Sequence, residues 1–317
     1  MMKNSLLLIF FVLATSITAQ QKYSDTALLD KGNALYNLVE KDSPLCWKMH
    51  FLDTISKEQE AEWKALEQQR MEGLEQALSY FEQLIEHYPS SRLLHRARNN
   101  TALIYREIGQ EEQAIYYKKN LNSKADDNED GGVGIGIMAE PYALYKNRAC
   151  KQLAEIFLQQ KQYRRALQYM SKTRKYPYQH FCGNEYIAEA HYKNIFYVKC
   201  YTGLKQPKKA LSYCLPYAIN QFSEENNIFA RLAATLLREQ YDRTYLLEAL
   251  EQAINTAYVE MKNGLEWYFI DYMGEQIEIS FFTVKEEETL AEAVRAVVES
   301  TYFYELLKLE DKPFFRN

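Results

Sequence analysis

Small and aromatic residues recur through the middle of the chain at helical spacing. In Ala77-Leu-Ser-Tyr-Phe81 and on to Pro89, an alanine is followed by phenylalanine four residues later and by proline eight further on. An alanine on one face lets a second helix approach, the aromatic fills the gap beside it, and the proline ends the helix. The next segment sets Ala102, Tyr105, Gly109 and Ala114 in a similar order, and a third sets Ala154, Phe157, Lys161 and Ala166. Lys161 stands where a turn would favour glycine. Tyr201, Ala210 and Cys214 form a fourth segment, and Tyr241, Ala249 and Ala253 a fifth. Upstream, Gly32-Asn-Ala-Leu-Tyr36 reads as the first helix of one more pair. The pattern predicts an all-α chain of paired helices. A nonrepetitive helical bundle would share the same apolar period.

The pattern changes in three places. Leu6 to Ala14 is unbroken and apolar, follows Lys3, and precedes a small-residue stretch ending at Ala19. Residues 1–19 therefore read as a secretory signal, too short for the roughly 20 apolar residues of a spanning helix. An uncleaved anchor or a buried N-terminal helix is the alternative. Residues 122–136, NSKADDNEDGGVGIG, interrupt the helices. Asp126, Asn128, Asp130 and Gly131 match the opening of a calcium loop, but Ile137 occupies the place of the closing glutamate and Glu140 comes three residues late. The glycines fit no phosphate-binding pattern. A flexible acidic loop is the default reading. From Leu265 the periodicity becomes two. Trp267–Tyr272, a turn at Met273-Gly274-Glu275 and Ile277–Phe281 predict a small β-hairpin, and Lys285–Leu309 returns to helical spacing as a final helix. The hairpin is expected to cap the helices; its edge could instead take a partner strand, or the segment could be one continuous helix.

Over roughly residues 57–255 the anchors named above resemble the tetratricopeptide repeat family. The alanine anchors Ala77, Ala114, Ala166, Ala210 and Ala249 are separated by 37, 52, 44 and 39 residues, where the family's period is about 34. The expected fold is thus an irregular helical-hairpin solenoid closed by the hairpin and final helix. The expected organisation is a signal at 1–19, an N-terminal helix and insertion at 20–56, the repeats at 57–262 and the closing segment at 263–317. The resemblance implies that first-helix side chains line a concave binding surface. These are Arg96, Asn99, Asn100, Leu103 and Arg106, then Arg148, Lys151 and Glu155, then Lys199 and Arg238. Some members of the family clamp a peptide carboxylate with lysine and asparagine at such sites, and Arg96, Asn99, Asn100 and Lys151 are compatible with that. An ordinary solvated helix face is the bland alternative.

Composition narrows the function classes. Hydrophobic residues make up 47% of the 317, enough for a sizeable core, while only 11 glycines and 7 prolines leave few tight turns. The net charge is −5, and becomes −6 if Lys3 leaves with the first 19 residues. Mild acidity with only short basic runs such as Lys172, Arg174 and Lys175 argues against a dedicated nucleic-acid or anionic-membrane binder. The 26 tyrosines suit helix pairs, since the ring fills the gap and the hydroxyl reaches the wet edge.

Cys46, Cys150, Cys182, Cys200 and Cys214 are odd in number and lack metal-ligand spacing, so buried thiols are expected, with Cys200–Cys214 the pair to test for oxidation. No zinc-protease or serine-hydrolase motif occurs. His180 and Cys182 could be imagined as a dyad, but an aromatic connector is the simpler reading. Glu286-Glu287-Glu288 suits a helix start. The sequence therefore points to an exported, periplasmic or secreted, non-catalytic scaffold with a protein or peptide partner and no cofactor. A glycan- or peptidoglycan-associated binding protein is the alternative, and an enzyme with an unrecognised site a distant third.

Overall fold

The computed structural model describes residues 23–50, 56–109, 112–124, 141–219, 224–279 and 288–309, with backbone alone for 40–50 and 224–226. The signal segment 1–19 and the residues Asp126, Asn128 and Asp130 lie outside the described residues. The chain forms two compact units, 1–126 and 127–317, divided within the 122–136 stretch. Twelve α-helices and one three-stranded antiparallel sheet are present among the described residues, a mostly α-helical fold.

The first unit holds α1 (Asp25–His50), α2 (Lys57–His87), α3 (Leu94–Glu107) and α4 (Gln113–Leu121), each packed on the next. α2 starts where Ser56 accepts from the Gln59 N–H while the Gln59 side chain accepts from the Ser56 N–H, a reciprocal cap for two otherwise unpaired amides. It ends before Pro89, which cannot extend a helix. Ala77 and Phe81 are wholly buried, with Leu28 and Leu29 of α1 in the same core. The Gly32 segment is thus the first helix of a pair whose second helix is α2.

The second unit begins with α5 (Tyr145–Gln159), α6 (Tyr163–Lys172), α7 (Gly183–Gly203) and α8 (Pro207–Cys214), again packed in sequence. Three helix pairs share one local geometry. Gly109, Lys161 and Lys205 occupy the turn with φ of 73°, 56° and 56°. Four residues earlier stand Tyr105, Phe157 and Tyr201, whose rings stack on Tyr116, Tyr169 and Tyr213 of the following helix at 5.6, 5.2 and 5.7 Å. The lysines therefore take the left-handed conformation that glycine takes at 109. The pair α3–α4 is one residue shorter after its turn. Tyr117 fills the buried place that Met170 and Cys214 fill later, so Gln113 takes the position of Ala166 and Ala210, and Ala114 is only half-buried.

The remaining elements depart from simple pairing. A 3-10 turn (Leu215–Tyr217) leads to α9 (Glu224–Arg238) and α10 (Arg243–Asn255), followed by β1 (Tyr258–Lys262), β2 (Leu265–Tyr272) and β3 (Glu275–Ile279), then α11 (Leu290–Glu299) and α12 (Tyr302–Lys308). α9 packs mainly on α12, and α10 on β2, α12 and α11, rather than on each other. The expected two-stranded hairpin is a three-stranded sheet in the order β1-β2-β3. The added strand arises because Asn263 and Gly264 both take positive φ, 56° and 80°, the two-residue turn that matches strand twist. Met273 and Gly274 repeat it at 53° and 86°. Ile270, Tyr272, Ile277 and Ile279 turn one face of the sheet into the core shared with α9, α10 and α12, which a marginal isolated hairpin requires.

The expected single final helix is two helices. The Thr301 hydroxyl donates to the Val298 carbonyl at 2.7 Å, closing α11, and accepts from the Tyr304 N–H at 3.2 Å, opening α12. The α11 start is set by Thr289 and Glu292 in a reciprocal cap; Glu286 and Glu287 lie outside the described residues. No helix among the described residues is long and apolar enough to cross a membrane.

Candidate functional site: the seams between first helices

In both units, successive first helices meet through polar side chains. In the first unit the seam joins α1 and α3. The Asn100 amide donates to Asn33 Oδ1 at 2.9 Å, and the Asn99 amide donates to Asn100 Oδ1 at 3.3 Å. Asn99 is buried, so its amide is spent inside the fold. Arg96 and Leu103 are half-buried on α3, and Arg106 pairs with its neighbour Glu107 at 3.1 Å.

The second unit has a charged and aromatic seam between α5 and α7. Lys151 Nζ lies 2.8 Å from Glu189, which also receives Lys193 at 2.9 Å. The Glu189 side chain is 11% exposed and that of Lys151 18%, so the pair is largely desolvated. Removing one member of such a pair leaves the other charge stranded. The Tyr192 hydroxyl donates to Glu155 at 2.7 Å. Burial, with the nearby Glu155 carboxylate second, pushes the Tyr192 hydroxyl far above its ordinary range and keeps it a donor.

Aromatic contacts extend this seam into the α6–α7 connector. Lys151 Nζ sits 5.0 Å from the Tyr178 ring centre and 5.7 Å from that of Tyr192. Tyr178 stacks on His180 at 6.1 Å and meets Tyr186 edge-on at 6.0 Å. The Tyr186 hydroxyl accepts from the His180 N–H at 3.0 Å. Phe181 is 80% exposed and Tyr186 46%, with Tyr142 6.3 Å from Phe181. The result is a fixed polar strip bordered by exposed aromatic rings. It is suited to reading a peptide's polar groups on the strip and an apolar side chain at the border.

His180 and Cys182 do not form a dyad through their side chains: His180 Nδ1 accepts from the backbone N–H of Cys182 at 3.0 Å. Their closeness in sequence is a turn, and the imidazole is part of the aromatic connector. Cys200 and Cys214 are separate buried thiols.

The proposed groove residues have divergent roles. Lys151 and Glu155 meet at the α5–α7 seam, and Arg148 is half-buried on α5. Lys199 is exposed further along α7. Arg238 belongs elsewhere: its guanidinium donates to the carbonyls of Leu306 at 3.2 Å and Leu309 at 3.0 Å, capping the end of α12. Glu189, Tyr192 and Tyr178 were missed: α7 begins 18 residues before its stacking Tyr201, whereas α5 begins 12 before Phe157, and Tyr178 lies in the connector ahead of α7. Glu189 and Tyr192 lie beyond that extension, 12 and nine residues before Tyr201, where Tyr145 and Arg148 stand before Phe157. Their three-residue spacing, and the Glu189–Lys193 spacing of four, were the signals on offer.

The aromatic face of the sheet is less open than its composition suggested. Lys262 Nζ lies 4.2 Å from the Phe269 ring centre and 5.8 Å from that of Trp267. Phe269 is buried and Trp267 half-buried. No protein-family model, curated protein or solved structure matches this chain.

Proposed function

We propose that the chain is an exported, non-catalytic scaffold of tetratricopeptide-like helix pairs that binds a protein or peptide along the α5–α7 seam. The observation that carries this reading is the continuity of the seam. Lys151, Glu189, Glu155 and Tyr192 are held by one another, and the exposed rings of Phe181 and Tyr186 adjoin them. Side chains already fixed in place lose little freedom when a ligand arrives. Exposed aromatic residues beside a polar strip are the usual anchors of protein interfaces.

Peptides selected from a random library on the chain from Gln20 onward test the reading. Phe181→Ala and Tyr186→Ala should each weaken the selected peptides at least about tenfold, while Ile115→Ala in the first unit should leave them unchanged. Selected peptides that bind both aromatic variants as tightly as the parent chain would overturn the seam as the site. Retention of envelope glycans, with no peptide selected, would favour the glycan-binding alternative.

A further inference from the structure

β1 is an edge of the sheet. Lys262 and Leu265 flank the two-residue turn and form its closing pair. Antiparallel pairing alternates from that point, so Tyr258, Glu260 and Lys262 direct their backbone groups toward β2. Val259 and Met261 direct theirs outward, and no backbone bond to either from outside β2 occurs among the described residues. Their side chains also stand exposed, Val259 by 42% and Met261 by 65%. Open amides beside exposed apolar side chains are a template for another strand.

Charge selects the strand. Lysine and glutamate on an edge ordinarily discourage pairing, because a random partner brings no matching charges. Here Glu260 and Lys262 are two residues apart on one face and already 2.8 Å from each other. An antiparallel copy of β1 centred on Met261 sets each Glu260 opposite Lys262 of the second copy. Four charges then alternate across the junction, and the two Met261 side chains meet on the other face. Met261 would also be a hydrogen-bonded pair with its counterpart, which leaves the Glu260–Lys262 positions as the closely spaced pairs where side chains interact best.

We propose that a second copy of this chain docks on the β1 edge across a two-fold axis, extending the three-stranded sheet to six strands. The edge is five residues long, and this register pairs Glu260–Lys262 of each copy, with Val259 opposite the turn residue Asn263, so the contact is small and the dimer belongs in the micromolar to sub-millimolar range.

Sedimentation equilibrium of the chain from Gln20 onward, up to roughly 0.3 mM, tests this. The parent chain is expected to dimerise. Glu260→Lys and Lys262→Glu should each raise the dissociation constant at least about tenfold by setting like charges opposite each other, and the double exchange should restore it. Met261→Pro removes an outward amide without removing a bond to β2, and should abolish the dimer. Should that variant misfold by circular dichroism, the charge exchange still decides the question. A parent chain that stays monomeric throughout overturns the proposal, whatever foreign strand the edge accepts. So does a dimer that both single charge variants leave intact.

Discussion

Gly32 of α1 lies directly against the ring of Phe81 on α2: a Cβ on Gly32 would stand 2.5 Å from Phe81 Cε1 and 2.7 Å from Cζ. Phe81 is wholly buried among Leu28, Leu74 and Leu84 and has little room to retreat. Gly32→Ala should therefore destabilise the first unit by about 1–3 kcal/mol, the usual cost of overfilling a packed core. Gly183→Ala, where a Cβ meets nothing within 4 Å, should stay within about 0.5 kcal/mol of the parent. Urea unfolding of both variants checks the contrast. Equal midpoints would mean that the two helices do not approach this closely.

The turns at Gly109, Lys161 and Lys205 predict an exchange of stabilities. A side chain in the left-handed region costs about 1–2 kcal/mol, and glycine's extra freedom in the unfolded chain offsets part of that. Lys161→Gly and Lys205→Gly should each gain about 0.5–1 kcal/mol, and Gly109→Ala should lose a similar amount despite the open space around it. Thermal unfolding of the three variants provides the test. A loss at Lys161→Gly would show that the lysine side chain makes a contact outweighing the strain.

These turns also show how far the sequence could be read. Tyr105, Phe157 and Tyr201, with Ala166 and Ala210, were legible because small and aromatic positions on a helix face are fixed by packing, whereas Ala114 stands one residue past the packed position that Gln113 takes. Lys161 gave no sign of its conformation, since nothing in a lysine announces positive φ. Asn263-Gly264 was a readable turn signal, and β1 went unrecognised because Tyr258–Lys262 looked like the tail of the preceding helical pattern. At the candidate site, Lys151 and Glu155 were accessible from their helix positions. Their partners Glu189 and Tyr192 were not, because nothing along the chain states which residues of α7 face α5 across the seam. Arg238 was read as a groove residue for the converse reason. Its helix position is right for one, but α12 arrives from 68 residues further along the chain and takes its guanidinium.

That capping contact makes its own prediction. The carbonyls at the end of α12 have no partner within the helix, and Arg238 satisfies two of them with charge-assisted bonds. Arg238→Ala should cost about 1–2 kcal/mol and speed amide exchange in residues 302–309 ahead of the rest of the second unit. Arg238→Lys should recover only part of the loss, because an ammonium cannot reproduce the two-pronged geometry. Unaltered exchange in α12 would remove the capping role.

The last prediction concerns alkaline pH. Burial pushes the Cys200 and Cys214 thiols up to about 12, and Cys214 remains a donor to the Ala210 carbonyl at 3.5 Å. Burial likewise raises the Tyr272 hydroxyl, which donates to the Leu246 carbonyl at 3.2 Å. In the unfolded chain the thiols ionise near pH 8.5 and the phenol near pH 10. Each group thus binds its proton more tightly when folded. The stability this contributes is intact below about pH 8.5 and declines as pH rises through 12. Unfolding free energy measured from pH 7 to 11 should fall above about pH 9. Cys214→Ala should lower stability at neutral pH by leaving a small void, yet flatten the alkaline decline. A thiol reagent at pH 8 should reach neither Cys200 nor Cys214 until the chain unfolds, because the buried thiol carries almost no thiolate. Rapid labelling of either residue in the native protein, or a decline just as steep without Cys214, would place these thiols in a wetter environment than their packing describes.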